Sequence, residues 1–75
     1  MRSIHEEVIG LLVLTMGPAA KPFLERQCKF HLGKPAANLT KADIPLLAKW
    51  VEIGVGLALG EEVGAKVGAR LRAMA

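Results

Sequence analysis

The chain has 75 residues, of which 52% are hydrophobic, and its formal net charge is +3. This length corresponds to a single domain, and a domain this small buries only about 60% of the surface that its unfolded chain exposes. One cysteine excludes an intrachain disulfide, and with two histidines it supplies too few ligands for a structural zinc site. We therefore expect no cofactor, and we expect partner chains to supply the missing stability.

The first predicted element is a helix from about Ser3 to Met16. Ser3 and Glu6 have the spacing of a capping box, in which each side chain accepts a hydrogen bond from the other residue's backbone N–H. A strand over Val8–Leu14 is the alternative, because β-branched residues are frequent there, but the length of the segment and the cap favour a helix. Apolar residues cover nearly all of its circumference, which predicts a helix that is covered on several sides.

The same segment does not predict export or a membrane span. Its apolar part is similar to the core of a signal peptide, but Glu6 and Glu7 precede it where basic residues would be expected. No uninterrupted apolar run reaches about 18 residues, so we expect no transmembrane helix. Together with the single thiol, these features favour a cytoplasmic protein.

Gly17 and Pro18 are typical of a helix end that is followed by a new helix start. A second helix is predicted from about Pro18 to Leu32, and Gly33 ends it. One side of this helix is largely apolar, and we expect that side to be buried: Ala20, Phe23, Leu24, Gln27, Cys28, Phe30 and His31. The opposite side alternates basic residues with glutamate, as a solvated helix face does.

The segment 34–40 is the one substantial predicted loop. At its end, Thr40 and Asp43 repeat the capping-box spacing, with aspartate in the third helical position. We expect a helical turn at 41–44 that leads into the longest helix, with Pro45 near the start of that helix.

The stretch from Ile44 to Gly60 is predicted to be the central helix. At about 100° per residue, its polar or bare positions fall in one narrow wedge. These positions are Lys49, Glu52, Gly56 and Gly60. The rest of the circumference is apolar, and a helix of this kind is surrounded by other elements.

Glycines recur every four residues towards the end of the chain, at Gly56, Gly60, Gly64 and Gly68. Glycine inside a helix costs up to about 1 kcal/mol, so this spacing requires a reason. One interpretation is a bare groove that lets another helix approach closely. The other, which we favour, is a break near Gly60, after which Glu61 and Glu62 begin a fourth helix at its positive end.

Cys28 and His31 lie three residues apart on one helix face and form half of a metal site, or a thiolate beside a base. No second pair completes such a site. None of the seven carboxylates forms the isolated, desolvated pair that acid–base catalysis uses. We therefore predict a protein that is not an enzyme, with no catalytic, cofactor-binding or metal-binding residue.

The segment 21–49 contains six basic and two acidic residues, a local charge of +4. Such a segment is compatible with a nucleic-acid-associated protein, which is the alternative function. However, no aromatic residue is interleaved with these basic residues on a polar face, and such aromatics are what single-strand binding uses. Nucleic acid is therefore not the expected partner.

Four segments together resemble a small helical domain of unknown function that recurs in bacterial signalling proteins, often at the end of a longer chain. The segments are Met16-Gly-Pro-Ala-Ala20, Phe23-Leu-Glu-Arg26, Leu39-Thr-Lys-Ala-Asp-Ile-Pro-Leu-Leu-Ala48 and Leu57-Ala-Leu-Gly60. The resemblance covers most of the chain, and its motifs are helix caps and core positions. It implies a context of signalling and multimerisation, and it implies no catalytic residue.

We predict an all-α domain over residues 1–75, a bundle of three to four helices that self-association completes. The expected state is a homodimer or a higher oligomer, because two nearly all-apolar helices exceed what one short chain can cover. The predicted interface uses the first and third helices, at Val8, Leu12, Val13, Trp50, Val51 and Val55. The predicted function is that of a small interaction or oligomerisation module.

Overall fold

The computed structural model describes residues 2–75, and within that range the chain is all-α, with no strand. Its four α-helices are α1 (Ile4–Met16), α2 (Ala20–Gln27), α3 (Ile44–Leu59) and α4 (Glu61–Arg72). Three short 3-10 turns, at Gly17–Ala19, Ala36–Asn38 and Lys41–Asp43, and a π turn at Cys28–Leu32 connect or extend them. The predicted fold class, a small helical bundle, is confirmed.

The N-terminal cap of α1 forms as the sequence predicts. The backbone N–H of Glu6 donates to Ser3 Oγ at 3.1 Å, and the Ser3 N–H lies 3.4 Å from Glu6 Oε1. The helix ends at Gly17, whose φ of 59° is one that other residues rarely adopt. The alternative of a strand over Val8–Leu14 is therefore wrong, because the cap and the uninterrupted turns that follow it satisfy the backbone locally.

The second predicted helix exists, but it is built from three consecutive helical types. After α2 the backbone widens, and the Gly33 N–H donates to the carbonyl of Cys28, five residues earlier. This spacing brings Leu32 towards the core and leaves Phe30 70% exposed. The prediction that Phe30 and His31 lie on the buried side is wrong, because it assumed the α-helical period to the end of the segment.

A second capping box starts the path into α3. Asp43 Oδ2 accepts hydrogen bonds from the Thr40 N–H at 2.9 Å and the Thr40 hydroxyl at 3.0 Å. The same oxygen accepts from Lys34 Nζ at 2.7 Å, which ties the preceding loop to the cap. The predicted turn at 41–44 is thus confirmed, and the buried Leu39 anchors the loop before it.

Helices α3 and α4 form a tight antiparallel hairpin. The predicted break occurs at Gly60, with φ of 107°, and α4 begins with Glu61 and Glu62. The glycines also have the steric role of the other interpretation. A Cβ atom on Gly64 would lie 2.6 Å from the Glu52 carbonyl oxygen and 2.9 Å from Gly56 Cα. Both interpretations of the glycine spacing are therefore correct. The chain breaks at Gly60, and the two helices on either side of the break, α3 and α4, approach each other closely at the remaining glycines.

The core lies between α3 and the other helices. Two residues of α1 (Val8, Leu12), the inner side of α2, and Val67 and Leu71 of α4 meet the buried residues of α3. Those residues of α3 are Ile44, Leu47, Ala48, Val51 and Val55. α3 is therefore the central helix, as predicted, but it is central on one face only, because several apolar side chains on its opposite face are exposed.

Candidate interaction surface

An apolar stripe runs along the uncovered face of α3. It consists of Leu46, Trp50, Ile53 and Leu57, and we call it the α3 stripe. Intervals of four, three and four residues keep these side chains within an arc of about 60°, because an α-helix has 3.6 residues per turn. Leu57 is 86% exposed, Leu46 46% and Ile53 44%. This is the spacing with which one helix packs along another.

Trp50 is the one member of the stripe that a neighbouring side chain holds in place. The His31 ring stacks on it in parallel, with centroids 3.9 Å apart and planes inclined by 5°. On the same residue, Lys49 Nζ lies 5.3 Å from the ring centroid, within the range of a cation–π contact. The π turn places His31 at this position, so the indole is oriented before any partner binds.

A groove lies beside the stripe, between α3 and α4, and we call it the α3–α4 groove. Its volume is about 620 Å³, and it is lined by Glu52, Ile53, Gly56, Leu57, Glu61 and Ala65. The small side chains at positions 56 and 65 leave this space open. Two carboxylates line it, and one of them, that of Glu52, accepts a 2.7 Å hydrogen bond from Arg72 Nη1.

The structure divides the six residues of the predicted interface between the core and the surface. Four of them are fully buried inside the single chain: Val8, Leu12, Val51 and Val55. They are not available to a partner while the chain is folded, because α1, α3 and their neighbours already cover them. Val13 is 46% exposed on α1, and the half-buried Trp50 belongs to the α3 stripe.

Three of the four members of the stripe were not predicted from the sequence, namely Leu46, Ile53 and Leu57. Their 4–3–4 spacing with Trp50 is visible in the sequence. It could have been found by asking which apolar residues repeat in a heptad pattern. The signal was hidden because the buried residues of α3 fill the remaining apolar positions.

Cys28 and His31 do not lie together in one site. The Cys28 side chain is fully buried, whereas His31 lies on the surface against Trp50. Burial, assisted by the nearby Asp43 carboxylate, raises the pKa of Cys28 to about 11, so the group is a neutral thiol at neutral pH. Among residues 2–75, no three His, Cys, Asp or Glu side chains lie close enough together to hold a metal ion.

A second cleft, with a volume of about 500 Å³, lies where the start of α1 faces the end of α2 and the loop beyond it. It is lined by His5, Glu25, Lys29, Gly33, Lys34, Pro35, Ala36 and Ala37. His5 Nε2 is buried without a hydrogen-bond partner, and Lys34 is already paired with Asp43. The lining therefore carries charges of both signs and selects no single class of ligand.

The helical stretch Ile4–Leu32 is long and apolar enough to cross a membrane when judged by length and composition only. Of the most apolar part of this stretch, 22% is buried in the fold. Core helices of soluble proteins and signal sequences meet the same criterion. In the folded chain the stretch changes direction at Gly17, and its two halves are the helices α1 and α2.

No protein-family model, curated protein or solved structure matches this chain.

Proposed function

We propose that this chain is a small, non-enzymatic protein-interaction module that self-associates through the α3 stripe, with a homodimer as the favoured state. The observation that supports this function best is the stripe itself. Leu46, Ile53 and Leu57 are exposed at helix-packing spacing beside an oriented tryptophan. Aromatic and large aliphatic side chains clustered in this way are typical of the centre of a protein–protein interface.

The energetics favour a contact between two helices. Fully burying one large aliphatic side chain stabilises a complex by about 1.5–3 kcal/mol. Association costs an estimated 4–15 kcal/mol in lost translational and rotational freedom. Leu57 gains most of this amount, whereas Leu46 and Ile53 are already more than half buried and gain only in proportion to the fraction that is still exposed. A two-fold symmetric contact uses each residue of the stripe twice, so these gains are doubled against that single cost.

The non-enzymatic part of the proposal rests on the state of the chemically reactive side chains. The Cys28 thiol is buried and neutral, and His31 is engaged with Trp50.

A free thiol is compatible with a cytoplasmic location. The resemblance to a helical domain of bacterial signalling proteins adds a signalling context, in which such modules bring chains together.

The test is the molar mass in solution, measured by sedimentation equilibrium at low and high salt, for the wild type and two variants. Ile53→Lys places a charge on the stripe, and Val13→Lys places one on α1 at nearly equal exposure, 46% against 44%. We expect a wild-type dimer that persists at high salt, a monomeric Ile53→Lys variant and a dimeric Val13→Lys variant. A wild type that stays monomeric at every concentration would remove the proposal.

The alternative function, nucleic-acid association, gains support from one observation. Phe30 is 70% exposed, and Lys29 Nζ lies 5.8 Å from its ring centroid, so an exposed aromatic does accompany the basic segment. Stacking of a base on such a ring contributes about 1–3 kcal/mol.

This alternative predicts that the protein binds single-stranded DNA or RNA and shifts its electrophoretic mobility. The binding should weaken steeply with salt and should be weaker for the Phe30→Ala variant. Phe23→Ala, which changes an aromatic that packs against the core, is the control for effects on the fold. If the mobility of the nucleic acid does not change at any salt concentration, the alternative function is wrong.

A further inference from the structure

We propose that the two copies pack antiparallel about a two-fold axis through the middle of the α3 stripe, and that Lys49 of each copy enters the α3–α4 groove of the other. This inference rests on the proposed function, because it specifies the geometry of the same surface. It adds a residue that the partner contributes and that the stripe alone does not indicate.

The stripe is symmetric about its own midpoint. Leu46 and Leu57 form its ends, and Trp50 and Ile53 form its centre; both pairs have their midpoint between positions 51 and 52. A two-fold axis at this point sets Leu46 against the partner's Leu57. It also sets the flat indole against the partner's Ile53. Each contact is then made twice, once in each direction, as an isologous interface requires, and in every contact a large apolar residue meets another large apolar residue.

Charge distinguishes the antiparallel arrangement from the parallel one. Lys49 and Glu52 lie on the same flank of the stripe, and that flank borders the groove. Parallel packing about a two-fold axis would place the charged flanks of the two copies on opposite sides of the contact, so that Lys49 would meet no carboxylate of the partner's flank. Antiparallel packing keeps the two charged flanks on the same side and sets Lys49 level with position 54 of the partner, between its Glu52 and Gly56, so that lysine and carboxylates of opposite charge lie close together.

Glu61 is the carboxylate that is free to receive the lysine. Glu52 already accepts a hydrogen bond from Arg72 within its own chain, whereas Glu61 is exposed at the start of α4. Gly56 lies between the stripe and Glu61, and a Cβ atom there would be 3.9 Å from Glu61 Cα. The bare glycine leaves room for the aliphatic stem of the partner's Lys49 to lie in the groove, and in the dimer its ammonium group exchanges the contact with its own Trp50 ring for one with this carboxylate.

Disulfide trapping tests the direction of packing. Leu46→Cys and Leu57→Cys chains, one of them carrying a mass tag, are mixed and oxidised under mild conditions. The native Cys28 is buried and remains a thiol, so it does not compete. We expect the mixed 46–57 disulfide to dominate over both homodisulfides.

The other outcomes separate the two proposals. Homodisulfides that dominate in a protein whose mass is that of a dimer would overturn the antiparallel geometry and leave the proposed function standing. A wild-type mass that is monomeric throughout, with no disulfide formed, would overturn the proposed function and the geometry with it.

A charge exchange tests the lysine contact. Lys49→Glu should raise the dissociation constant of the dimer at low salt by about tenfold or more, and adding Glu61→Lys to the same chain should restore most of that loss. Lys66→Glu, on an exposed part of α4 outside the groove, is the matched control and should leave the constant within about twofold. Failure of the double variant to recover would overturn the contact between Lys49 and Glu61.

Discussion

Helix α3 presents two apolar faces, and only one of them is covered. Leu46 and Leu47 are neighbours of the same residue type, yet Leu47 is fully buried and Leu46 is 46% exposed. Their hydrophobicity is equal, so it does not decide which of them is inside. The difference comes from the elements available to pack on each face, since α1, α2 and α4 all converge on the same side of α3.

The two faces differ in how their neighbours approach them. On the covered side, Gly64 brings the backbone of α4 against that of α3, and a Cβ atom at this glycine would overlap with Gly56. On the uncovered side, Leu57 and Ile53 border an open groove. A close-packed face transmits any change of volume, whereas an open face absorbs it. The following variants use this contrast.

The largest difference is expected between Leu47→Ala and Leu46→Ala. Removing the Leu47 side chain leaves a cavity in the core and should lower the free energy of unfolding by about 2–5 kcal/mol. The same change at Leu46 should lower it by less than about 1 kcal/mol, because its side chain is half exposed and no cavity forms. Urea unfolding followed by circular dichroism, at a concentration at which the chain is monomeric, measures both. Equal losses would contradict the assignment of the two faces.

The next largest difference is expected between Gly64→Ala and Gly56→Ala. The added methyl group at Gly64 would meet backbone atoms at 2.6 and 2.9 Å, which cannot move without separating α3 from α4. Overpacking of this kind costs about 1–3 kcal/mol. At Gly56 the nearest atom would be 3.9 Å away, so the gain in helix propensity, up to about 1 kcal/mol, is expected to remain. Thermal unfolding of the two variants checks the opposite signs.

A smaller effect is expected at the start of α3, where the cap fixes the register of both faces. Thr40→Ala removes the hydroxyl of the capping box and should cost about 1 kcal/mol. Lys41→Ala, at the adjacent exposed position, is the control and should stay within about 0.5 kcal/mol. A Thr40→Ala variant as stable as the control would show that the packing of Leu47 and its neighbours alone sets the register.

The smallest expected effect is a loss of folding stability at low pH that is due to Asp43. Its hydrogen bonds from Lys34 and from Thr40 lower the pKa of this carboxyl from its ordinary value of 3.8. The unfolded chain therefore takes up the proton more readily than the folded chain. The ionised Asp43 carboxylate therefore stabilises the fold fully when the pH is above the ordinary pKa of the group, and this stabilisation is lost as the pH falls through the lowered pKa. Thermal midpoints between pH 6 and pH 2.5 should fall more for the wild type than for Asp43→Asn, and parallel curves would contradict this role.

Local rules predicted the boundaries of the helices because the interactions that set them span only a few residues. Ser3 and Glu6 are three positions apart, as are Thr40 and Asp43, and both capping boxes form. The chain changes direction at Gly17 and reverses at Gly60, where the positive φ values suit glycine, and this too is a property of single positions. For this reason the all-α class and a bundle of three to four helices could be predicted well from the sequence.

The candidate site was predicted less well. Val8, Leu12, Val51 and Val55 were chosen for their hydrophobicity, and all four are in the core of the single chain. Hydrophobicity identifies residues that favour burial, but it does not tell whether the same chain or another one covers them. The predicted positions of Phe30 and His31 were wrong because the π turn at Cys28–Leu32 departs from the α-helical period that the prediction assumed.

By itself, then, the sequence determined the helices and their caps and favoured the break at Gly60, because these depend on hydrogen bonds and backbone angles within about four residues. Only the tertiary structure decided which face of α3 became core and which became the α3 stripe. It also brought His31 onto Trp50 and opened the groove beside Gly56. These features depend on contacts between residues far apart in the chain. Several helix faces are equally apolar, so their hydrophobicity does not determine which of them pack against each other.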